Sequence, residues 1–344
     1  MDSTRELLEV LGQHQRLLVL THQNPDPDSL ASAMALRHLA RESVGLESEF
    51  GFSGRIMRAE NREMVRRCGI DLVDQESVEV ADYDCIAVVD TQPGFGHTIL
   101  PEGRRVDVII DHHVPPEQDL DSLVVPEADV FRDVRTDVGA TSTLIGNYLL
   151  EAGVSVPTEI ATALVYGIKT DTADLTRNVA PLDEKVYDAF SPKADRTILR
   201  QIVSPELPPG YYRTLRVALN NVRIFGDLVL CSLGRVEAPE MVAEVADLLL
   251  RLEGRQTVLC GGLVNDVYYV SLRTERNDDA YDLLRLALGG EGSFGGHGQV
   301  AGGSVHLPDS DQRTLKRFER RLEKNILTAL GLEGMTVLSL GAGD

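Results

Sequence analysis

The chain is expected to be an α/β protein, with a mostly parallel, doubly wound sheet in an N-terminal domain and a smaller α/β domain behind it. Three observations lead there. The apolar runs Leu17–Leu20, Cys85–Val89 and Val106–Ile110 read as strands buried on both faces. Helical periodicity fills stretches around them, beginning with Leu30–Leu36. Each run also ends at once in acidic or imidazole side chains: His22, Asp26 and Asp28 after the first, Asp90 after the second, Asp111-His112-His113 after the third. Open α/β sheets place ligand sites at the carboxyl ends of their strands.

Residues 1–15 read as an amphipathic helix leading into the first strand. In Thr21-His22-Gln23-Asn24-Pro25-Asp26-Pro27-Asp28-Ser29 the two prolines bias their neighbours toward extended backbone, so Asp26 and Asp28 should diverge. A lone Asp-Ser here would simply cap the next helix. His22 and Asp26 in the same loop exceed what a cap needs. A helix to about Arg41, a strand at Leu46–Phe50 and a polar helix from Ile56 to Cys68, closed by Gly69, come next. The arginines of that helix, 58, 62, 66 and 67, alternate with Glu60 and Glu63 as on a solvated face.

Beyond the third strand, Thr136–Thr143 opens a helix running through Leu150, where Gly139 and Ala140 suit either a cap or an anion at the helix start. A helix from Thr158 ends at Asp171. Residues 186–215 read as a helical connector, broken at Leu207-Pro208-Pro209-Gly210, between domains at 1–185 and 216–344. The second domain should hold a strand over Val222–Leu233, a helix at Met241–Leu252 and a hairpin turning at Asn265-Asp266. A helix at Asp279–Leu288, a glycine-rich stretch at 292–303, a helix at Asp309–Leu330 and a strand at Met335–Leu340 complete the reading.

The bulk composition narrows the function. The chain has 344 residues, 43% of them hydrophobic and 26% charged, with a net charge of −20. That charge argues against wrapping long nucleic acid, though a short nucleotide needs only a local basic pocket. No apolar run spans a bilayer and the first residues lack a signal-peptide layout, so a cytoplasmic protein without membrane partners is expected. The four cysteines (Cys68, Cys85, Cys231, Cys260) are far apart and read as buried free thiols.

Taken together, His22, Asp26, Asp28, Asp90, His112 and Asp171 form a donor set without thiolates, which suits Mn²⁺, Mg²⁺, Fe²⁺ or Co²⁺ rather than structural zinc. Six donors exceed the needs of one ion with an open position. They suit two ions sharing a carboxylate, an arrangement that serves in-line attack on a phosphoryl group.

The same motifs, in the same order, resemble the DHH phosphoesterase family, and Gly295-Gly296-His297 with Ala301-Gly302-Gly303 resembles the glycine-rich motif of its associated C-terminal domain. Val300 stands where that family often has Ala. The resemblance implies two divalent ions, Mn²⁺ foremost, in a cleft between the domains. One would be held by His22, Asp26 and Asp90, the other by Asp28, Asp90, His112 and Asp171, with Asp90 bridging. It makes Asp111 the residue that orients the histidine pair and His113 the group that meets the scissile phosphate. It assigns Arg273, His297, Gly295, Gly296, Gly302 and Gly303 to substrate binding, and it implies a homodimer. Within the family the chain looks most like the nanoRNase and 3′-phosphoadenosine 5′-phosphate phosphatase group, which acts on short oligonucleotides, dinucleotides or nucleotide bisphosphates. A cyclic dinucleotide phosphodiesterase and a non-catalytic nucleotide-binding regulator are the alternatives. A RecJ-type exonuclease fits the acidic charge poorly, and the glycine-rich motif counts against an inorganic pyrophosphatase.

Overall fold

The computed structural model describes residues 2–56, 58–74, 77–93, 95, 100, 104–114, 130–308 and 311–340. The chain divides into two compact units, Met1–Glu206 and Leu207–Asp344. His97, which in sequence reads as an ordinary surface or packing histidine, lies outside the described residues.

The first unit runs α1 (Asp2–Leu11), β1 (Arg16–Leu20), α2 (Pro27–Val44), β2 (Glu47–Phe52), α3 (Ala59–Cys68), β3 (Val73–Asp74) and β4 (Cys85–Val89). It continues through β5 (Val108–Asp111), β6 (Phe131–Val134), α4 (Thr141–Glu151), α5 (Thr158–Asp171), α6 (Pro181–Phe190) and α7 (Arg196–Val203). Among the described residues the sheet has six parallel strands in the order β3-β2-β1-β4-β5-β6. The strand order reverses between β1 and β4. Side chains at the carboxyl ends of these two neighbours therefore border the crevice in which such sheets bind ligands.

Along β1 and β4 successive side chains alternate between two faces, both buried. Leu17, Val19, Ala87 and Val89 pack with the helices in one core, whereas Leu18, Leu20, Ile86 and Val88 face the other side. That second face is closed by Val80, Tyr83 and Val106. The expected alternation of strand with helix holds from β1 to β3. Between β4 and β6 the described residues hold no helix. α4 begins at Thr141, not Thr136, and Gly69 closes α3 in the left-handed region as expected (φ 65).

The second unit contains α8 (Pro209–Asn221), β7 (Val222–Phe225), β8 (Leu228–Arg235), α9 (Glu240–Leu250), β9 (Thr257–Val264), β10 (Val267–Thr274), α10 (Ala280–Leu288), β11 (Ser293–His297), β12 (Val300–His306) and α11 (Gln312–Leu330). Its sheet has the order β11-β12-β10-β9-β8-β7. The β9–β10 hairpin turns at Asn265, which takes the left-handed conformation (φ 52). The single strand expected over Val222–Leu233 is instead a hairpin, bent at Gly226 (φ 58). The glycine-rich stretch folds as a third hairpin, with Gly295 opposite Gly302. Of the strand expected at Met335–Leu340, only Leu338 pairs, as a lone bridge to Ile224. All four cysteines are buried. No helix among the described residues is long and apolar enough to cross a membrane.

Candidate metal centre

Two carboxylates leave the β1 loop in different directions because the backbone changes character between them. Asp26 is extended and caps α2, accepting from the Ser29 N–H at 3.0 Å. Pro27 starts the helix, a position where its missing N–H costs nothing. Asp28 is thus helical, not extended as its prolines suggested, and it is wholly buried. Its Oδ2 and Oδ1 accept the N–H groups of Thr141 and Ser142, at 2.7 and 2.8 Å, in the first turn of α4. The helix start that read as an anion site is already occupied, by the carboxyl of Asp28. The Gly139 N–H is likewise engaged, donating to the buried carboxylate of Asp183 at 2.9 Å.

Asp90 follows β4 in the left-handed region (φ 58), which is uncommon for a residue other than glycine and is often found where function demands it. Its N–H donates to the Ile110 carbonyl at 3.0 Å, which ties it to β5. Its Oδ1 accepts from the Thr141 hydroxyl at 3.0 Å. Its Oδ2 is buried without a hydrogen-bond partner, 3.5 Å from His22 Nε2. The ring of His22 is oriented from behind, since Nδ1 can only donate to the Gln23 carbonyl, 2.9 Å away. That bond turns Nε2 toward Asp90 and Asp26, the latter at 3.7 Å.

The β5 end completes the cluster. Asp111 is wholly buried, and its Oδ1 accepts from the His112 N–H at 2.8 Å and from His113 Nδ1 at 2.9 Å. His112 Nε2 lies 3.1 Å from Asp171 Oδ2 and 3.7 Å from Asp90 Oδ1, yet it is buried without an aligned hydrogen bond. Asp171 reaches it from the last turn of α5.

The electrostatics reflect this crowding. Burial disfavours the His22 imidazolium, but Asp26 and Asp90 outweigh it and push its pKa up to about 11. Burial likewise opposes His112, and Asp171 foremost among its neighbours raises it to about 10. Burial, then the negative charges of Asp90 and Asp171, holds the Asp28 carboxyl well above its usual range. Asp171 is also raised, by burial first, against the pull of His112. Asp26 is lowered, because His22 overcomes its burial. Burial works against Asp111 too, but the bonds from His113 and Gln92 lower it.

Among the described residues three groups bring donor atoms close enough to share a cation: His22, Asp26 and Asp90; Asp28, His112 and Asp171; and Asp90, His112 and His113. The buried, unpartnered Oδ2 of Asp90 and Nε2 of His112 are what such an ion would satisfy. Oxygen and imidazole donors around shared carboxylates fit divalent Mn, Mg or Fe. The six expected ligands therefore do meet at one place. The third group also brings in His113, although its Nδ1 is engaged by Asp111. Thr141 and Gln92 were not foreseen. Neither a Thr at a helix start nor a Gln after a strand is distinctive in sequence.

In the second unit, Arg273 is buried, its Nε donating to Asp247 Oδ1 at 2.5 Å and a terminal nitrogen donating to the Ser271 hydroxyl at 2.7 Å. Arg273, Ser271, Gly302 and Gly303 line one cavity of about 240 Å³. β12 has a neighbour on each side, so Gly302 and Gly303 sit inside the ladder, whereas Gly295 and Gly296 lie on the edge strand that His297 closes.

Residues 16–168 match the DHH family, N-terminal domain, and residues 227–324 match the DHHA1 domain. The chain carries a DHH domain followed by a DHHA1 domain. The DHH match covers β1, β4 and β5 with the donor residues that follow them, and it ends three residues before Asp171. An uncharacterized protein of Methanocaldococcus jannaschii is 34% identical over 327 residues, 92% of this chain and 64% of that protein. A probable manganese-dependent inorganic pyrophosphatase of Streptococcus agalactiae is 25% identical over 171 residues, 46% of this chain and 48% of that protein. The chain thus spans less than two thirds of the first relative's length and about half of the second's. An exopolyphosphatase-related protein from Bacteroides fragilis shares the fold, with a TM-score of 0.71 at 18% identity over 96% of this chain and 97% of that one.

Proposed function

We propose that the protein is a metal-dependent phosphoester hydrolase that acts on short nucleotides through two divalent cations, with Mn²⁺ the first choice. Asp90 carries the reading. It joins two of the three donor groups, and one of its oxygens is buried with no hydrogen bond to satisfy it. His22, Asp26 and Asp90 would hold one ion, and Asp28, Asp90, His112 and Asp171 the other. Bound there, the ions would supply an acidified water and neutralise charge on the phosphoryl oxygens.

The side chains prepare that chemistry. Thr141 fixes one oxygen of Asp90 and leaves the other for a shared ligand position. Asp111 holds Nδ1 of His113, so Nε2 can meet a phosphoryl oxygen or give a proton to the leaving oxygen. The half-exposed ring of His113 suits contact with a substrate. In the DHHA1 domain, Arg273 beside its cavity would take a terminal phosphate, with His297, Gly295, Gly296, Gly302 and Gly303 forming the adjoining surface.

Dinucleotides and 3′-phosphoadenosine 5′-phosphate are the proposed substrates. Pyrophosphate is the second reading, favoured by the similarity to the streptococcal pyrophosphatase over 46% of this chain. The deciding experiment is a Mn²⁺-supplemented hydrolysis panel with an EDTA control. It contains 3′-phosphoadenosine 5′-phosphate, pGpG, pApA, a 5-mer and a 24-mer RNA, cyclic di-AMP and pyrophosphate. Metal-dependent turnover confined to the dinucleotides or the bisphosphate supports the proposal. Turnover of pyrophosphate alone moves the assignment to the second reading. Tight nucleotide binding with no turnover makes the protein a regulator.

A further inference from the structure

Gln92 is wholly buried two residues past Asp90. Its Nε2 donates to Asp111 Oδ2 at 2.8 Å and to the His113 carbonyl at 3.1 Å. Its Oε1 accepts from Arg132, on β6, at 2.8 Å. These neighbours settle which way the amide points. A guanidinium only donates, while an ionised carboxylate and a backbone carbonyl only accept. Turning the amide over would set oxygen against oxygen at Asp111 and N–H against N–H at Arg132.

We propose that Gln92, oriented by Arg132, is a positioning residue that acts through Asp111 to fix the ring of His113. The proposal rests on the reading of His113 as the group that meets the phosphate. Oδ1 of Asp111 already serves the His112 N–H and the His113 ring, so Oδ2 is the oxygen whose anchoring stops the carboxylate from rotating. Gln92 supplies that anchor. It also holds the His113 carbonyl, so it grips both the backbone of His113 and the carboxylate that orients its ring. Arg132 is exposed, but it is the obligate donor that keeps the amide facing inward. A methionine at 92 would fill similar space and provide no N–H.

The test compares wild type with Gln92→Met, Arg132→Met, Arg132→Lys and the double variant Gln92→Met/Arg132→Met. Partners of this kind are typically worth about 10- to 100-fold, and Gln92→Met should lower kcat within that range while KM and bound metal per chain hold. Arg132→Met, at the exposed end, should lower kcat with an unchanged Tm, and Arg132→Lys should recover most of the loss. The double variant should be no worse than Gln92→Met, because Arg132 acts through the amide. The His113 Nδ1–H signal, read by ¹⁵N NMR at fixed pH, gives a result independent of turnover. Wild type should show one signal, bonded to Asp111, and both Met variants should show it shifted or split. An unchanged His113 spectrum in Arg132→Met, or multiplicative losses in the double variant, overturns the proposal. Wild type inactive on every phosphoester, yet showing these NMR changes, would sink the hydrolase reading and leave the positioning role standing.

Discussion

The hydroxyl of Thr141 donates to Oδ1 of Asp90 across 3.0 Å, which turns the other oxygen of that carboxylate toward His22. One helix start therefore orients two carboxylates, since the Thr141 N–H also binds Asp28. Thr141→Val keeps the shape and the N–H but removes the donor to Asp90. It should weaken Mn²⁺ binding by about 10- to 100-fold, measured by calorimetric titration, with Thr141→Ser close to wild type. Unchanged affinity in Thr141→Val would mean that Asp90 needs no such support.

Asp28 should be distinguishable from the other proposed ligands without any metal. Each buried N–H left unpaired costs about 1–3 kcal/mol, and Asp28→Ala exposes two of them at the start of α4. In EDTA this variant should lose about 2–6 kcal/mol of unfolding free energy by urea denaturation. His22→Ala and Asp171→Ala should lose much less under the same conditions. Equal losses in all three would deny Asp28 its structural part.

The expected donor set was legible because each member follows an apolar run, and a parallel sheet brings the carboxyl ends of its strands to one edge. What stayed hidden has physical reasons. β3 and β6 are too short for a period to declare itself. Gly226-Asp227 is a two-residue turn signal, masked by apolar residues on both sides. Asp26 and Asp28 look equivalent in sequence. Only the change from extended to helical backbone at Pro27 makes one a cap of α2 and the other a partner of α4. Thr141 and Gln92 act across elements distant in sequence, so no local pattern could single them out.

Metal binding should release protons. The pKa values of His22 and His112 stand at about 11 and about 10, so at pH 7 both rings carry a proton in the metal-free protein. A ligating nitrogen must give that proton up. Affinity for Mn²⁺ should therefore rise with pH through neutrality, by about tenfold per unit for each proton released. Calorimetry in buffers of different ionisation enthalpy counts those protons directly. Zero release at pH 7 would remove both histidines from the ligand set.

Arg273 poses a sharper choice than its neighbours, because its guanidinium is both buried and held by Asp247 and Ser271. A purely structural ion pair would serve stability alone. The cavity bordered by Arg273, Gly302 and Gly303 argues for substrate contact as well. Arg273→Met retains much of the apolar stem and removes the charge, and it should raise KM for a nucleotide bisphosphate by about tenfold or more, the loss expected of a charged hydrogen bond worth about 1.5–3 kcal/mol. The change in kcat should be smaller. Asp247→Asn, which keeps the guanidinium but loosens its hold, should raise KM by less. A lowered Tm with KM unchanged in both variants would confine Arg273 to holding α9 against β10.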